Sequence, residues 1–134
     1  MSTPTPSIQQ LMKALQNSWN KETSFVPAEW TIHNPARGQC LVSTLVVQDY
    51  LGGDIRRYDV KANNFSEIHY CNLLPSGAVL DTTATQYSQP VQLTVTPITL
   101  EGHTTARARY IADPDTQTKY VLLKERVTRA LSSQ

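Results

Sequence analysis

One segment near the middle of the chain, residues 40–51, is apolar on almost every side of a helix. Its apolar residues are Leu41, Val42, Leu45, Val46, Val47 and Leu51. Gly52 and Gly53 follow it, and glycine readily adopts the left-handed conformation that closes helices, so we predict a helix from Cys40 to Leu51. A helix that is apolar nearly all round must be covered by other elements. The rest of the chain is therefore expected to fold around this helix.

The length and composition favour one globular domain. The chain has 134 residues, of which 40% are hydrophobic and 17% are charged. These fractions exclude a disordered tail or a coiled-coil rod, and the length leaves no room for a second sizeable core. We predict a single domain over residues 1–134, with the polar, proline-containing residues 1–6 disordered.

Charge and cysteine content narrow the classes of partner and the compartment. Twelve basic and eleven acidic residues give a net charge of +1, so we expect neither a nucleic acid nor a membrane surface as partner. No apolar run approaches the roughly 20 residues of a membrane helix, and no signal peptide is visible. Two cysteines, Cys40 and Cys71, are too few for a secreted disulfide framework. These observations predict a soluble, cytoplasmic protein, and no cofactor or oligomeric state is indicated.

The remaining elements follow from caps, alternation and turn residues. Ser7 and Gln10 form a capping box that begins a first helix, and Asp113 with Pro114 begins the last. Prolines mark a long loop over residues 21–39. Strands are predicted over residues 55–61, 67–74, 78–83, 91–96 and 107–111. The order of elements indicates an α+β fold in which the 40–51 helix packs on a mostly antiparallel sheet, with N- and C-terminal helices.

The second and third predicted strands form a hairpin that brings a histidine and an aspartate together. Pro75-Ser76-Gly77 separates the two strands and is a turn signal. A three-residue loop places Cys71 opposite Asp81 and makes His69 a diagonal neighbour of Asp81, about 7–8 Å away at the backbone. Any odd loop length keeps the two side chains on one face, and an even length separates them.

Cys40 lies where a thiol is well placed for nucleophilic chemistry. It begins the buried helix directly after Gly38 and Gln39, and the positive end of a helix dipole favours thiolate over thiol. The free amides of the first turn and the Gln39 side chain are candidate donors to an oxyanion. A thiolate also needs a base and a group that orients the base, and His69 and Asp81 fit these roles.

Each of these assignments has a simpler alternative. Cys40 could be ordinary core, and Cys71, which shares the His69 face, could be an apolar filler rather than a second thiol. Cys40, His69, Cys71 and Asp81 could together bind a metal, although their spacing matches no common zinc motif. Trp30 and Tyr70 are candidate substrate-binding residues, but Trp30 could equally anchor the long loop.

Several runs of residues resemble the YunG family of small bacterial proteins. These runs are Trp30, 34–40, 46–54, 69–72, 74–77, 81–83, 109–111 and 118–123. The resemblance covers nearly the whole chain except residues 89–106, and Cys71 stands where a tryptophan is expected in this family. By itself this resemblance implies no particular reaction.

A second resemblance bears on chemistry. Gly38-Gln39-Cys40 is similar to the nucleophile motif of transglutaminase-like and papain-like cysteine enzymes, and a histidine strand followed by an aspartate strand is their order too. This implies a papain-like or transglutaminase-like fold, with Cys40 as nucleophile, His69 as base and Asp81 as orienting residue. Leu41 stands where those transferases usually carry tryptophan, which argues against acyl transfer to an amine.

Residues and resemblance together predict a cysteine-dependent hydrolase or acyltransferase that attacks an amide or acyl carbonyl. A peptidase, an amidase and a deamidase all fit, so a peptide or protein amide is the expected substrate class. The alternatives are a non-catalytic peptide-binding module on the same fold and, less favoured, a metal-binding protein.

Overall fold

Four α-helices and four β-strands form over residues 4–134, the part of the chain that the computed structural model describes. The helices are α1 (Ile8–Ser18), α2 (Cys40–Leu51), α3 (Ala106–Ile111) and α4 (Pro114–Ser132). The strands are β1 (Asp54–Lys61), β2 (Ser66–Leu73), β3 (Val79–Leu80) and β4 (Gln92–Thr96). They form one antiparallel sheet in the order β3-β2-β1-β4. The predicted α+β class, antiparallel sheet and terminal helices are confirmed.

The capping box predicted at the start of α1 is present. The Ser7 hydroxyl accepts from the Gln10 backbone N–H at 3.1 Å, and the Gln10 side chain accepts from the Ser7 N–H at 2.8 Å. These two bonds satisfy amides that a helix start leaves without partners. From this start, Leu11 and Leu15 become fully buried against α2 and α4.

Helix α2 is central, as its apolar surface predicts. Residues 41–47 are all buried, and Gly52 ends the helix with a φ of 72°. On one side α2 packs against α1 and α4. On the other side Leu45 packs with residues of the sheet and α3, and the Asn72 side chain donates to the Thr44 carbonyl at 3.0 Å. Because α2 is buried on both sides, the position of its first residue, Cys40, is fixed relative to the core.

The hairpin has a three-residue loop, which is one of the odd lengths predicted to keep His69 and Asp81 on one face of the sheet. Asn72 pairs with Leu80, and the Leu74 N–H donates to the Ala78 carbonyl at 2.8 Å. Strand β3 is shorter than the predicted 78–83, because the chain turns at Asp81, whose carboxylate accepts from the Thr83 N–H at 3.2 Å. A carboxylate that bonds its own backbone two residues on competes with a strand ladder.

Strand β2 divides its side chains between the two faces of the sheet. Tyr58 on β1 lies directly opposite His69, so both lie on one face together with Cys71. Tyr70 and Asn72 lie on the other face, which packs against α2. Strand alternation thus turns Asn72 away from the His69 face.

Residues 107–111 form helix α3, so the strand predicted there is wrong. The Thr105 hydroxyl accepts from the Ala108 N–H at 3.0 Å and caps the helix. Tyr110 is then buried against Leu41 and Leu45 of α2. A five-residue stretch with mixed polarity fits either periodicity, and packing against α2 selects the helix.

Residues 4–6 lie beside α4, where they line a cavity with Tyr50 and Leu131. Disorder was predicted for residues 1–6. Of these, residues 1–3 lie outside the described residues. Within the described residues, none of the helices combines the length and apolar character needed to cross a membrane.

Candidate active site

His69 and Asp81 meet as the hairpin register predicts. The His69 Nε2 atom lies 2.8 Å from Asp81 Oδ2. The His69 side chain is fully buried, while the Asp81 side chain is 22% exposed. Tyr58 stacks on the imidazole with ring centres 6.3 Å apart, and Tyr87 meets it edge-on at 5.4 Å. The ring is therefore held by a carboxylate and two aromatic neighbours.

Opposing effects set the protonation of His69. Burial alone lowers the pKa of the imidazole because it disfavours the charged form. The hydrogen bond to Asp81, the nearby Cys40 side chain and the negative charge of Asp81 outweigh burial and raise the pKa of His69 to about 9. A histidine in this setting holds its proton at neutral pH.

Cys40 is partly exposed at the first residue of α2. The loop before it is fixed by Gly38, which has a φ of 78° and whose carbonyl accepts from the Phe25 N–H at 3.0 Å. A cavity of about 230 Å³ opens beside Cys40. Its lining consists of Phe25, Val26, Arg37, Gly38, Cys40, Leu41, Glu67, Ile68, Tyr70 and Gln86. The thiol can thus meet a ligand from outside.

A polar cluster of Arg37, Glu67, Gln86 and Tyr87 forms one wall of the site. Arg37 binds both carboxylate oxygens of Glu67 at 2.8 Å, and the Tyr87 hydroxyl donates to Glu67 at 2.9 Å. Burial raises the pKa of Glu67, but the bonds from Arg37 and Tyr87 outweigh burial and lower it. The carboxylate is therefore ionised at neutral pH, and both of its oxygens accept hydrogen bonds.

Gln86 connects this cluster to the imidazole. Its side-chain oxygen accepts from Arg37 at 3.0 Å and from the Gly38 N–H at 3.4 Å. Its side-chain nitrogen consequently faces the other way, 3.3 Å from His69 Nδ1 and 3.3 Å from the Thr83 hydroxyl. Gln86 is thus buried between the loop before Cys40 and the catalytic candidate His69.

The structure places Gln39 and Trp30 away from their predicted roles. The Gln39 side chain is fully buried, with its nitrogen donating to the Asn20 carbonyl at 2.9 Å and its oxygen accepting from Thr23 at 2.7 Å. It braces the loop after α1 instead of reaching into the cavity as an oxyanion donor. Trp30 does not line the cavity, and its ring nitrogen donates to the Pro35 carbonyl at 2.9 Å. Trp30 therefore anchors the loop, which is the alternative role that the sequence analysis gave it.

Tyr70 and Cys71 take the places that strand alternation gives them. Tyr70 lines the Cys40 cavity, as predicted for a substrate-binding residue. Cys71 is buried, and burial raises the pKa of its thiol to about 11. A neutral, buried thiol behaves as a small apolar side chain, which favours the filler interpretation of Cys71.

The metal-site alternative finds no support in the geometry. Throughout residues 4–134, no group of three or more His, Cys, Asp or Glu side chains is arranged to hold a metal ion. Cys40, His69, Cys71 and Asp81 therefore do not converge as a ligand set.

Sequence reasoning missed most of the cavity wall. Glu67 was predicted only as part of a strand, and nothing in the sequence indicated its partner Arg37, which is 30 residues away. Gln86 could be seen to follow the aspartate strand, although its direction depends on the turn at Asp81. Phe25 and Ile68 carried no signal that separates them from ordinary apolar residues.

The fold and the site define a class: an α+β protein with a partly exposed cysteine at a helix N-terminus, beside a buried His–Asp pair. Comparison with known proteins then gives the family. The chain belongs to the YunG family, because the model of that family, described as "YunG protein", matches residues 7–132.

A curated relative agrees with this assignment. The chain is 35% identical over 78 residues to a Bacillus subtilis (strain 168) protein named "Uncharacterized protein YunG". The match covers 58% of this chain and 61% of the relative, so the chain spans about six tenths of the curated relative's length. No solved structure matches the chain.

Proposed function

We propose that this protein is a cysteine-dependent hydrolase or acyltransferase that attacks an amide or related acyl carbonyl. Cys40 is the nucleophile, His69 the acid and base, and Asp81 the residue that orients the imidazole. The observation that carries the proposal is the environment of the His69 side chain. One ring nitrogen bonds Asp81, and the nearby Cys40 side chain helps to raise the pKa of the imidazole. A buried imidazole that a carboxylate orients near a partly exposed thiol is the arrangement that activated thiols require.

In the form that attacks, the proton is on the imidazole and Cys40 is the thiolate. The sulfur attacks the carbonyl carbon, a C–S bond forms and the carbonyl electron pair moves to oxygen. The negative oxygen is received by the Cys40 backbone N–H, which belongs to a helix start whose amides have no partner within the helix. The Gln39 side chain is not a second donor, because it is bonded to Asn20 and Thr23.

The tetrahedral species collapses when the C–N bond breaks and His69 gives its proton to the departing amine. A thioester on Cys40 remains. Water then attacks the thioester carbon while His69 takes one water proton, the C–S bond breaks, and the acid is released with Cys40 again a thiolate. An amine in place of water gives acyl transfer by the same steps.

The chain order of the three residues supports the finer assignment to a papain-like or transglutaminase-like fold. The nucleophile begins a buried helix, the base follows on a strand, and the aspartate follows the next strand. Both cysteines are free, as a thiol-dependent reaction in a reducing compartment requires, so we include a cytoplasmic location in the proposal.

Thiol alkylation tests the resting state. At about pH 6, iodoacetamide is expected to label Cys40 much faster than Cys71, because Cys40 is partly exposed at a helix start near His69 while Cys71 is buried. In His69→Gln the Cys40 rate is expected to fall about tenfold for each pH unit below neutrality. Mass spectrometry of peptides resolves the two cysteines.

The outcomes separate the alternatives. Slow labelling of Cys40 with the same steep pH dependence in wild type and His69→Gln contradicts the proposal and leaves a peptide-binding module. Protection of Cys40 that a chelator reverses favours the metal-binding alternative. A second experiment compares the reaction of acyl probes with wild type and Cys40→Ala. Only the wild type is expected to form and hydrolyse a thioester.

A further inference from the structure

The cavity beside Cys40 is apolar over most of its lining. Phe25 and Ile68 line it, and these two residues are 36% and 43% exposed. Val26, Leu41 and Tyr70 complete the apolar surface. Apolar side chains that stay exposed around a cavity commonly mark a place where an apolar group binds.

The polar side chains in the same lining have no free charge to offer. Arg37 and Glu67 form a two-bond ion pair, with each nitrogen-to-oxygen distance at 2.8 Å. Gln86 bonds Arg37 through its oxygen and His69 and Thr83 through its nitrogen. A charged ligand group entering this cavity would lose water without gaining an unpaired partner.

The size of the cavity limits the group that it can take. Its volume of about 230 Å³ lies below the roughly 300–1,000 Å³ of sites that enclose whole drug-sized ligands. It therefore suits a single side chain, with the rest of the substrate remaining outside.

The position of His69 decides which half of the substrate this side chain belongs to. The leaving amine must lie beside the imidazole, because His69 protonates it. His69 is fully buried and is not part of the cavity lining. The acyl group stays attached to Cys40 after the amine has left, so we assign the cavity, which Cys40 lines and His69 does not, to the acyl side.

We infer that the substrate is a peptide whose residue on the acyl side of the reacting bond has an apolar side chain of leucine or phenylalanine size, held in the Cys40 cavity. This inference rests on the proposed function, since it takes Cys40 as the nucleophile. It adds a substrate side chain to the proposed reaction, which by itself names only an amide or acyl carbonyl.

A series of N-acetyl-aminoacyl chloromethyl ketones tests the inference on the full chain. In each probe the Cys40 thiolate displaces chloride and a C–S bond forms, and the probes differ only in a Gly, Leu, Phe, Asp or Lys side chain. The Leu and Phe probes are expected to alkylate Cys40 roughly tenfold or more faster than the other three. Site-resolved mass spectrometry gives the rates.

Ile68→Thr and Ile32→Thr form a matched pair of variants. Ile68→Thr keeps a β-branched residue in β2 but removes apolar area from the cavity, so the preference for Leu and Phe is expected to fall roughly threefold to tenfold. Ile32 is 77% exposed and lies outside the cavity lining, so Ile32→Thr is expected to keep the wild-type preference.

The failures can be told apart. Equal rates for all five probes at Cys40, or a preference unchanged in Ile68→Thr, overturn the side-chain cavity and leave Cys40 as a nucleophile. No reaction at Cys40 with any probe, in protein shown to be folded by circular dichroism, overturns the inference and the proposed function together.

Discussion

The two ring nitrogens of His69 face different partners, and this difference assigns their roles. Nε2 lies against the Asp81 carboxylate, which only accepts hydrogen bonds, so Nε2 carries a proton. The Gln86 side-chain nitrogen faces Nδ1, because the Gln86 oxygen is turned toward Arg37 and Gly38. In the neutral ring Nδ1 is therefore the nitrogen that accepts from the Gln86 side-chain N–H.

Titration of His69 gives the first prediction at this scale. By NMR we expect its imidazole to titrate with a pKa of about 9, as the Asp81 and Cys40 contacts require. In Asp81→Asn the pKa is expected to fall markedly, since burial then acts with less opposition. His33→Gln and His103→Gln variants identify the His69 signal among the three histidines.

The same raised pKa has a consequence for stability, with a definite sign. The folded state binds the proton more tightly than the unfolded state, whose histidine pKa is about 6.5. The stabilisation is fully present below about pH 6.5 and is lost as pH rises through about 9. Wild type should lose unfolding free energy relative to His69→Gln across that range, and parallel curves for the two proteins would contradict the assigned pKa.

At the scale of elements, the start of α2 depends on the loop that leads into it. Gly38 has a φ of 78°, and a Cβ atom there would lie 2.2 Å from the Ser24 hydroxyl and 3.0 Å from the Val26 backbone nitrogen. Ser24 cannot easily move, because it donates to the Arg37 carbonyl at 2.9 Å and accepts from the Val26 N–H at 3.1 Å. The backbone before Cys40 is thus closely packed.

Gly38→Ala is expected to destabilise the protein by roughly 1–3 kcal/mol and to slow alkylation of Cys40, because strain and a clash add at this position. Gly77→Ala is the matched control, with a φ of 89° but no described atom within 4 Å of the added Cβ. Chemical denaturation measures both costs. If the two variants lose equal stability, the cost is that of positive φ alone and the clash is absent.

At this scale the elements with strong local signals were predictable and the others were not. The capping box at Ser7 and the glycine closure at Gly52 use contacts within a few residues, so α1 and α2 follow from sequence. Helix α3 lacks such a signal apart from its cap, and its buried Tyr110 depends on α2. For β3, the turn at Asp81 ended a strand that alternation alone extends to residue 83.

At the scale of the whole molecule, Asp49 joins α2 to α3 and α4. Its carboxylate receives bonds from Arg107 of α3 and from Tyr120 and Lys124 of α4. The Asp49 side chain is only 17% exposed. Partly buried ion pairs with several partners are costly to break because the remaining charges lose their compensation.

Asp49→Asn is expected to lower the free energy of unfolding by roughly 1–3 kcal/mol, since one charge is removed from three partners. Asp115→Asn supplies the comparison, because Asp115 is 63% exposed and pairs with Lys119 within one helix, so its loss should stay within about 0.5 kcal/mol. Urea unfolding of both variants decides the matter. Equal small losses would show that Asp49 does not hold the helices together.

The sequence by itself determined the central helix, the caps and the hairpin turn, and through the turn it determined that His69 meets Asp81. Each of these depends on neighbours along the chain or on strand parity, which a sequence contains. Only the tertiary structure decided that Gln39 braces a loop, that Gln86 faces the imidazole, and that apolar side chains from separate segments line one cavity. Those contacts join residues far apart in sequence, and their directions depend on how whole layers pack.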